Sequence, residues 1–271
     1  AMRPVFDASQ GDAGYVSLEV SPALADDEAG TVAAARRLAA AVARDNLLVK
    51  IPATAAGVRA IETLIGEGLK LNVTLMFSLA HVDAVAAASQ RGRERLAASG
   101  ANISHVRSVA SVFLSRWDSL VDTLLDDIGT PEALALRGKA GVALARQAYQ
   151  RYLARFHGAG FAALAARGGR PQSMLWASTG TKNAAYSDLM YVEPLVGPET
   201  VNTLPDATLA AFADHGKVNG NQVAQDAEAA AAHIAALAAL GLDMNALGER
   251  LQSEGLAQFA TAFGKLLELT A

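Results

Sequence analysis

Six short runs of valine, leucine and isoleucine alternate along this chain with longer alanine-rich stretches of helical period, a pattern that pairs each strand with a helix and builds a parallel sheet. The strand candidates are Tyr15–Val20, Leu47–Pro52, Leu71–Phe77, Val106–Leu114, Met174–Ser178 and a less apolar one at Thr200–Leu204. Helices are expected at Thr31–Arg44, Gly57–Glu67, Leu79–Ala88, Trp117–Asp127, Pro131–Phe156, Asp206–Ala213, Gln222–Leu240 and Gly255–Leu269. No serine/glycine linker interrupts them, so residues 3–271 read as a single domain.

Residues two apart on a strand share a face. In Leu71–Ser78 one face is Asn72, Thr74, Met76 and Ser78 and the other Leu71, Val73, Leu75 and Phe77. In Val16–Val20 the polar face is Ser17 and Glu19, and in Leu47–Pro52 the exception is Lys50. A sheet covered by helices on both faces reads as nearly continuous apolar runs, so a polar row recurring from strand to strand needs another home. The lumen of a (β/α)8 TIM barrel provides one, with valine and leucine facing the outer helices. A barrel needs eight strands and six are identifiable. Residues 1–13 hold no strand–helix unit, so the expectation is a barrel lacking its N-terminal part.

Composition narrows the function. A formal net charge of −4 with no dense basic block gives no electrostatic footprint for nucleic acid. No window approaches a membrane span and the first residues lack a signal-peptide layout, so the chain reads as cytoplasmic. With no cysteine there is no disulfide, thiolate metal site or cysteine nucleophile. The five histidines, at 81, 105, 157, 215 and 233, show no metal-binding spacing. Neither a nucleophile elbow nor a dinucleotide fingerprint is present, and no cofactor is expected.

Lys50 is the sharpest chemical signal. An ammonium among Leu47, Leu48, Val49 and Ile51 must be paired or neutralised. Desolvation favours a neutral amine, the form that attacks a carbonyl to give a Schiff base. The competing reading is a structural ion pair with Glu19 on the preceding strand, and the pattern does not choose between them. Glu19, Asn72 and Thr74 flank Lys50 on neighbouring strands, where a carboxylate and a hydroxyl suit proton shuttling through water, or equally serve as interior hydrogen-bonding groups. Trp176–Asn183 is small, hydroxylated and glycine-containing with one cation, as a phosphate cradle or an ordinary turn would be. Arg116 closes the run from Ser111 to Arg116, placed to clamp a phosphate or to pair with Asp118 or Asp122.

These blocks together resemble the transaldolase family, in particular its bacterial long-chain branch. The resemblance lies in Val16–Val20, LLVKIPAT at 47–54, LNVTLMFS at 71–78, SVFLSR at 111–116, LWASTGTKN at 175–183, Tyr186-Ser187-Asp188 and VNTLPDATL at 201–209, in order from about residue 3 onward. It implies a class I aldolase barrel in which Lys50 forms the Schiff base and Glu19 and Thr74 position the catalytic water. By the same resemblance Asn72 and Ser111 bind sugar hydroxyls, Arg116 and Ser178 bind phosphate, and Lys182 stands near another basic position. The reaction implied moves a dihydroxyacetone unit from sedoheptulose 7-phosphate to glyceraldehyde 3-phosphate, giving erythrose 4-phosphate and fructose 6-phosphate. Family members are monomers or homodimers, so a homodimer belongs to the expectation. The family's first two strands, with an acid/base aspartate and a Thr-Ser/Thr-Asn-Pro segment, have no match before Val16. That leaves two alternatives: a fructose-6-phosphate aldolase-like lyase, and a sugar-phosphate-binding barrel fragment with little turnover.

Overall fold

The computed structural model describes residues 1–270. The strands are β1 (Val16–Glu19), β2 (Leu47–Pro52), β3 (Leu71–Met76), β4 (Ser108–Phe113), β5 (Ser173–Ala177) and β6 (Thr200–Asn202). The helices are α1 (Arg3–Ala8), α2 (Glu28–Val42), α3 (Ala55–Ile65), α4 (Leu79–Ala98), α5 (Ser115–Ile128), α6 (Pro131–Leu134), α7 (Ala140–Phe156), α8 (Ala162–Ala166), α9 (Asp206–His215), α10 (Ala227–Ala239) and α11 (Met244–Thr270). All strand pairs are parallel and the spatial order is the chain order, β1 to β6. A doubly wound sheet would reverse direction at a switch point, whereas sequential order is the arc of a (β/α)8 barrel. Among the described residues the arc is open. β1 and β6 each have one strand neighbour, and Val16, Leu18 and Val201 are exposed on them, contrary to an outside wholly covered by helices.

Local signals set the helix starts. The side chains of Asp27, Thr54 and Ser78 accept the backbone N–H of Gly30, Gly57 and His81, capping α2, α3 and α4. The core lies between β2–β5 and the inward faces of α3, α4, α5 and α7, with Trp117, Trp176, Tyr149 and Tyr152 fully enclosed. No single helix among the described residues is long and apolar enough to cross a membrane.

Four expectations need correction. The helix expected over Pro131–Phe156 is two, because Gly138 takes a positive φ of 67° and the carboxylates of Asp122 and Asp118 accept the N–H groups of Gly138 and Gly141. α4 continues past Ala88 to Ala98. Its polar second half is mostly good helix formers, Gly92 excepted, and Arg91 and Arg95 bond to Glu62 and to the last carbonyls of α3. α11 starts at Met244 rather than Gly255. Gly248 and Gly255 do not break it, since they sit where it touches the sheet: a Cβ on Gly248 would lie 2.8 Å from the Ser78 side chain, and one on Gly255 3.0 Å from that of Leu75. Finally, the alternation of β3 fails after Thr74. Leu75 adopts φ 57° and the register with β4 slips by one residue between Val73 and Met76, a β-bulge.

Arg93 of α4 is fully enclosed, and among the described residues no carboxylate pairs with it. Its Nη1 donates to the Ser89 carbonyl at 3.1 Å and to the Ser89 hydroxyl, while Nε and Nη2 have no partner. Burial, followed by repulsion from Arg107, pulls its pKa down to about 10. Removing a poorly satisfied buried charge while keeping the length of the stem is favourable. Arg93→Met is therefore expected to raise unfolding free energy by about 1–3 kcal/mol in urea titration with an unchanged m-value; destabilisation would refute this account.

Candidate active site

The sheet register brings the lumen-facing polar row of β1, β2 and β3 together. Glu19 stands opposite Lys50, Lys50 opposite Asn72, and Pro52 opposite Thr74. Lys50 Nζ donates to Glu19 Oε2 at 3.2 Å, with both side chains about one-quarter exposed or less by area, 21% and 26%. The ion pair allowed for by the sequence is thus present. Burial raises the pKa of Glu19, and the adjacent ammonium opposes that shift. Beside the pair, Ser111 Oγ donates to Asn72 Oδ1 at 2.7 Å and Asn72 Nδ2 donates to Ser17 Oγ at 2.9 Å, a chain across β4, β3 and β1. The Thr74 hydroxyl is fully buried with no partner, the condition of a group poised to hold water or a ligand oxygen.

The bulge in β3 explains how α11 reaches this row. A bulge leaves ladder carbonyls unpaired. Gln252 Nε2 donates to the carbonyls of Leu75 at 2.9 Å and Ala53 at 3.1 Å, pinning α11 to the tips of β3 and β2. His81 Nδ1 accepts the Phe77 N–H at 3.2 Å, which leaves Nε2 to donate to Glu249 at 2.8 Å. Gly248, Gln252, Gly255 and Phe259 form one stripe at helical spacing. At its end the face of the Phe259 ring lies against the Lys50 ammonium, 4.8 Å from Nζ to the centroid. Phe259 and Gln252 escaped sequence reading, although the stripe was visible once Gly248 and Gly255 were taken as contact points.

The remaining candidates gather at the rim. Arg116, in the first turn of α5, packs its guanidinium over Phe113 and Phe77 at 5.4 and 6.0 Å and keeps a buried, unpartnered Nη1. Burial depresses its pKa, which Glu254 partly offsets. Ser178, strained at φ 56°, shares a 2.8 Å hydroxyl–hydroxyl bond with Ser115 of α5. Lys182 is exposed and lines the same cavity of about 360 Å³ as Arg116 and Ser115. Arg116 pairs with neither Asp118 nor Asp122. Those carboxylates hold the segment carrying Lys182 instead, accepting the hydroxyls of Tyr191 and Tyr186, each at 2.6 Å.

The candidates thus form two clusters, one amine-centred in the lumen and one cationic at the rim. The sequence model for transaldolase/fructose-6-phosphate aldolase matches residues 2–270. The chain belongs to this family. A transaldolase of Thiobacillus denitrificans is 55% identical over 266 residues, covering 98% of this chain and 74% of the relative. A transaldolase of Neisseria gonorrhoeae is 48% identical, covering 96% and 72%, and transaldolase 2 of Streptomyces avermitilis is 48% identical, covering 99% and 72%. The aspartate nearest before β1, Asp12, sits at the other end of the strands with Arg107 and Arg170.

Asp118 gives the rim of this transaldolase-family chain a pH dependence. Burial raises its pKa to about 6, against the bonds from Tyr191 and Gly141. Because the folded state binds this proton more tightly than the unfolded chain, its stabilising contribution is complete below the ordinary aspartate range and is lost as pH rises through about 6. Relative to wild type, Asp118→Asn is expected to gain stability, on the order of 2 kcal/mol, between pH 4 and pH 7. Melting the two proteins in parallel across that range checks it, and a constant difference would refute it.

Proposed function

We propose that this chain is a transaldolase whose Schiff base forms on Lys50, with sedoheptulose 7-phosphate or fructose 6-phosphate as donor. The observation that carries the reading is an amine held in a polar row at the C-terminal ends of parallel strands, beside a carboxylate whose burial raises its proton affinity. Glu19 can take the proton from the Lys50 ammonium and free the amine for attack on the ketose C2. It then returns the proton to the departing hydroxyl of the carbinolamine, which leaves as water held by the Thr74 hydroxyl. The C4 hydroxyl passes its proton through the bound water to the Glu19 carboxylate, which dehydration left ionised, the iminium nitrogen accepts the electron pair of the C3–C4 bond, and an aldose phosphate departs. The enamine left on Lys50 adds to the carbonyl of a second aldose phosphate, whose oxygen takes that proton back from Glu19, and hydrolysis restores the amine. Asn72 and Ser111 hold the sugar hydroxyls, while Arg116, Ser178 and Lys182 receive the phosphate.

Transfer differs from simple aldol cleavage in keeping water from the enamine. The placement of Phe259 against Lys50, under a helix pinned by Gln252, favours transfer. In a folded sample with fructose 6-phosphate, borohydride is expected to reduce the iminium to a stable secondary amine on Lys50, adding a three- or six-carbon unit seen by peptide mass spectrometry. An unlabelled Lys50 would exclude the Schiff-base reading. With erythrose 4-phosphate present, formation of sedoheptulose 7-phosphate should exceed release of free dihydroxyacetone; the reverse would identify a lyase.

Thr74 separates function from stability. Thr74→Val keeps the shape and removes an unpartnered buried hydroxyl, so stability should hold or rise by about 1 kcal/mol. Loss of an aid to proton transfer should slow imine formation by roughly 10²-fold. A variant with wild-type trapping kinetics would remove Thr74 from the mechanism.

A further inference from the structure

The rim cavity contains a cation that the family resemblance did not single out. Arg250 of α11 lines it together with Arg116 and Lys182, and Glu254 and Gln258 follow at four-residue intervals on the same face of the helix. Arg250 Nε donates to Glu254 Oε1 at 2.8 Å, and Glu254 is also the acid whose charge acts on Arg116. α11 passes within van der Waals distance of Arg116, since a Cβ on Gly255 would lie 3.4 Å from Arg116 Nη1. One carboxylate, bonded to Arg250 and acting on Arg116, therefore lines the same cavity as three cations. Three positive charges and one negative leave an excess suited to a phosphate monoester dianion.

Resting on the reading of this cavity as the phosphate site, we infer that Arg250 is a third phosphate ligand and Glu254 its resident competitor: phosphate oxygens replace the Glu254 carboxylate on Arg250 when substrate binds, and the carboxylate reclaims the arginine when product leaves. Arg250 and Glu254 are both solvent-accessible, with side chains about half exposed at 55% and 47%, so the exchange requires only side-chain rotation. The pair then has effects of opposite sign. Removing the arginine weakens anion binding, whereas removing the carboxylate strengthens it. A merely structural ion pair on the helix surface would not split in this way, because either loss would disturb α11 in the same direction.

The test measures competitive inhibition by inorganic phosphate against fructose 6-phosphate, together with KM and kcat, on folded variants of this chain matched by thermal melting. Arg250→Gln is expected to raise both the phosphate Ki and KM about tenfold. Arg250→Lys, which keeps the charge without the fork, should lie between it and wild type. Glu254→Gln should lower Ki about threefold. An unchanged Ki in Arg250→Gln, or shifts of the same sign in Arg250→Gln and Glu254→Gln, would overturn the inference. Arg116→Gln separates the two levels. If it weakens phosphate and Arg250→Gln does not, the assignment of Arg250 alone fails; if neither weakens phosphate, the phosphate reading of the cavity fails with it.

Discussion

A lysine on a mostly buried strand must find a partner, and the whole upper end of this molecule is arranged around the one that Lys50 has. The 3.2 Å contact with Glu19 depends on β1 and β2 pairing in a register that sets the two residues side by side. The pair is neither dry nor free in solvent. Desolvation acts on Glu19 strongly enough to raise its pKa despite the ammonium beside it. Burial and the neighbouring charge thus act on Glu19 in opposite directions, and the proposed proton transfer from Lys50 to Glu19 uses the burial side of that balance.

From that pair outward the structure solves a backbone problem. β3 must carry Asn72 into the row and also end beneath α11, and its bulge at Leu75 does both at the cost of a left-handed residue without glycine. The carbonyl freed there is answered by Gln252 and the one at Phe77 by the Trp117 indole, so the strain is held by side chains from α11 and α5. Those helices also carry Phe259 and Arg116. Satisfying the end of one strand thus places the apolar cover over the amine and the arginine at the rim.

The strands and the lumen row were legible because alternation on a strand is a short-range property: Ser17, Glu19, Lys50, Asn72 and Thr74 announce a shared face within a few residues each. What was not legible depends on contacts distant in sequence. The last helix is expected from sequence to begin only at Gly255, and that it runs through Gly248 and Gly255 follows from their contact with Ser78 and Leu75. The break at Gly138 follows from Asp122, 16 residues earlier, accepting its N–H. Phe259 and Arg250 look like ordinary surface positions of an amphipathic helix, and only the docking of α11 onto the β2–β3 tips gives them neighbours. The phosphate candidates fell between these extremes, because Ser178 and Arg116 follow strand ends directly while Lys182 rides on a loop held by Tyr186 and Tyr191.

The docking of α11 also couples the two clusters. Its stripe touches Lys50 through Phe259, and its adjacent face supplies Arg250 and Glu254 to the rim cavity. A helix anchored by buried hydrogen bonds at Gln252 moves as a unit rather than one residue at a time. On the proposed reading of the rim cavity, charge placed there acts on the element that covers the amine, and a phosphate holding Arg250 toward Arg116 would seat that cover most firmly. On the same proposal, exclusion of water from an enamine on Lys50 is tied to occupancy of the rim, the order of events that transfer between two sugar phosphates requires: the acceptor's phosphate arrives, and the nucleophilic carbon meets a carbonyl before it meets water.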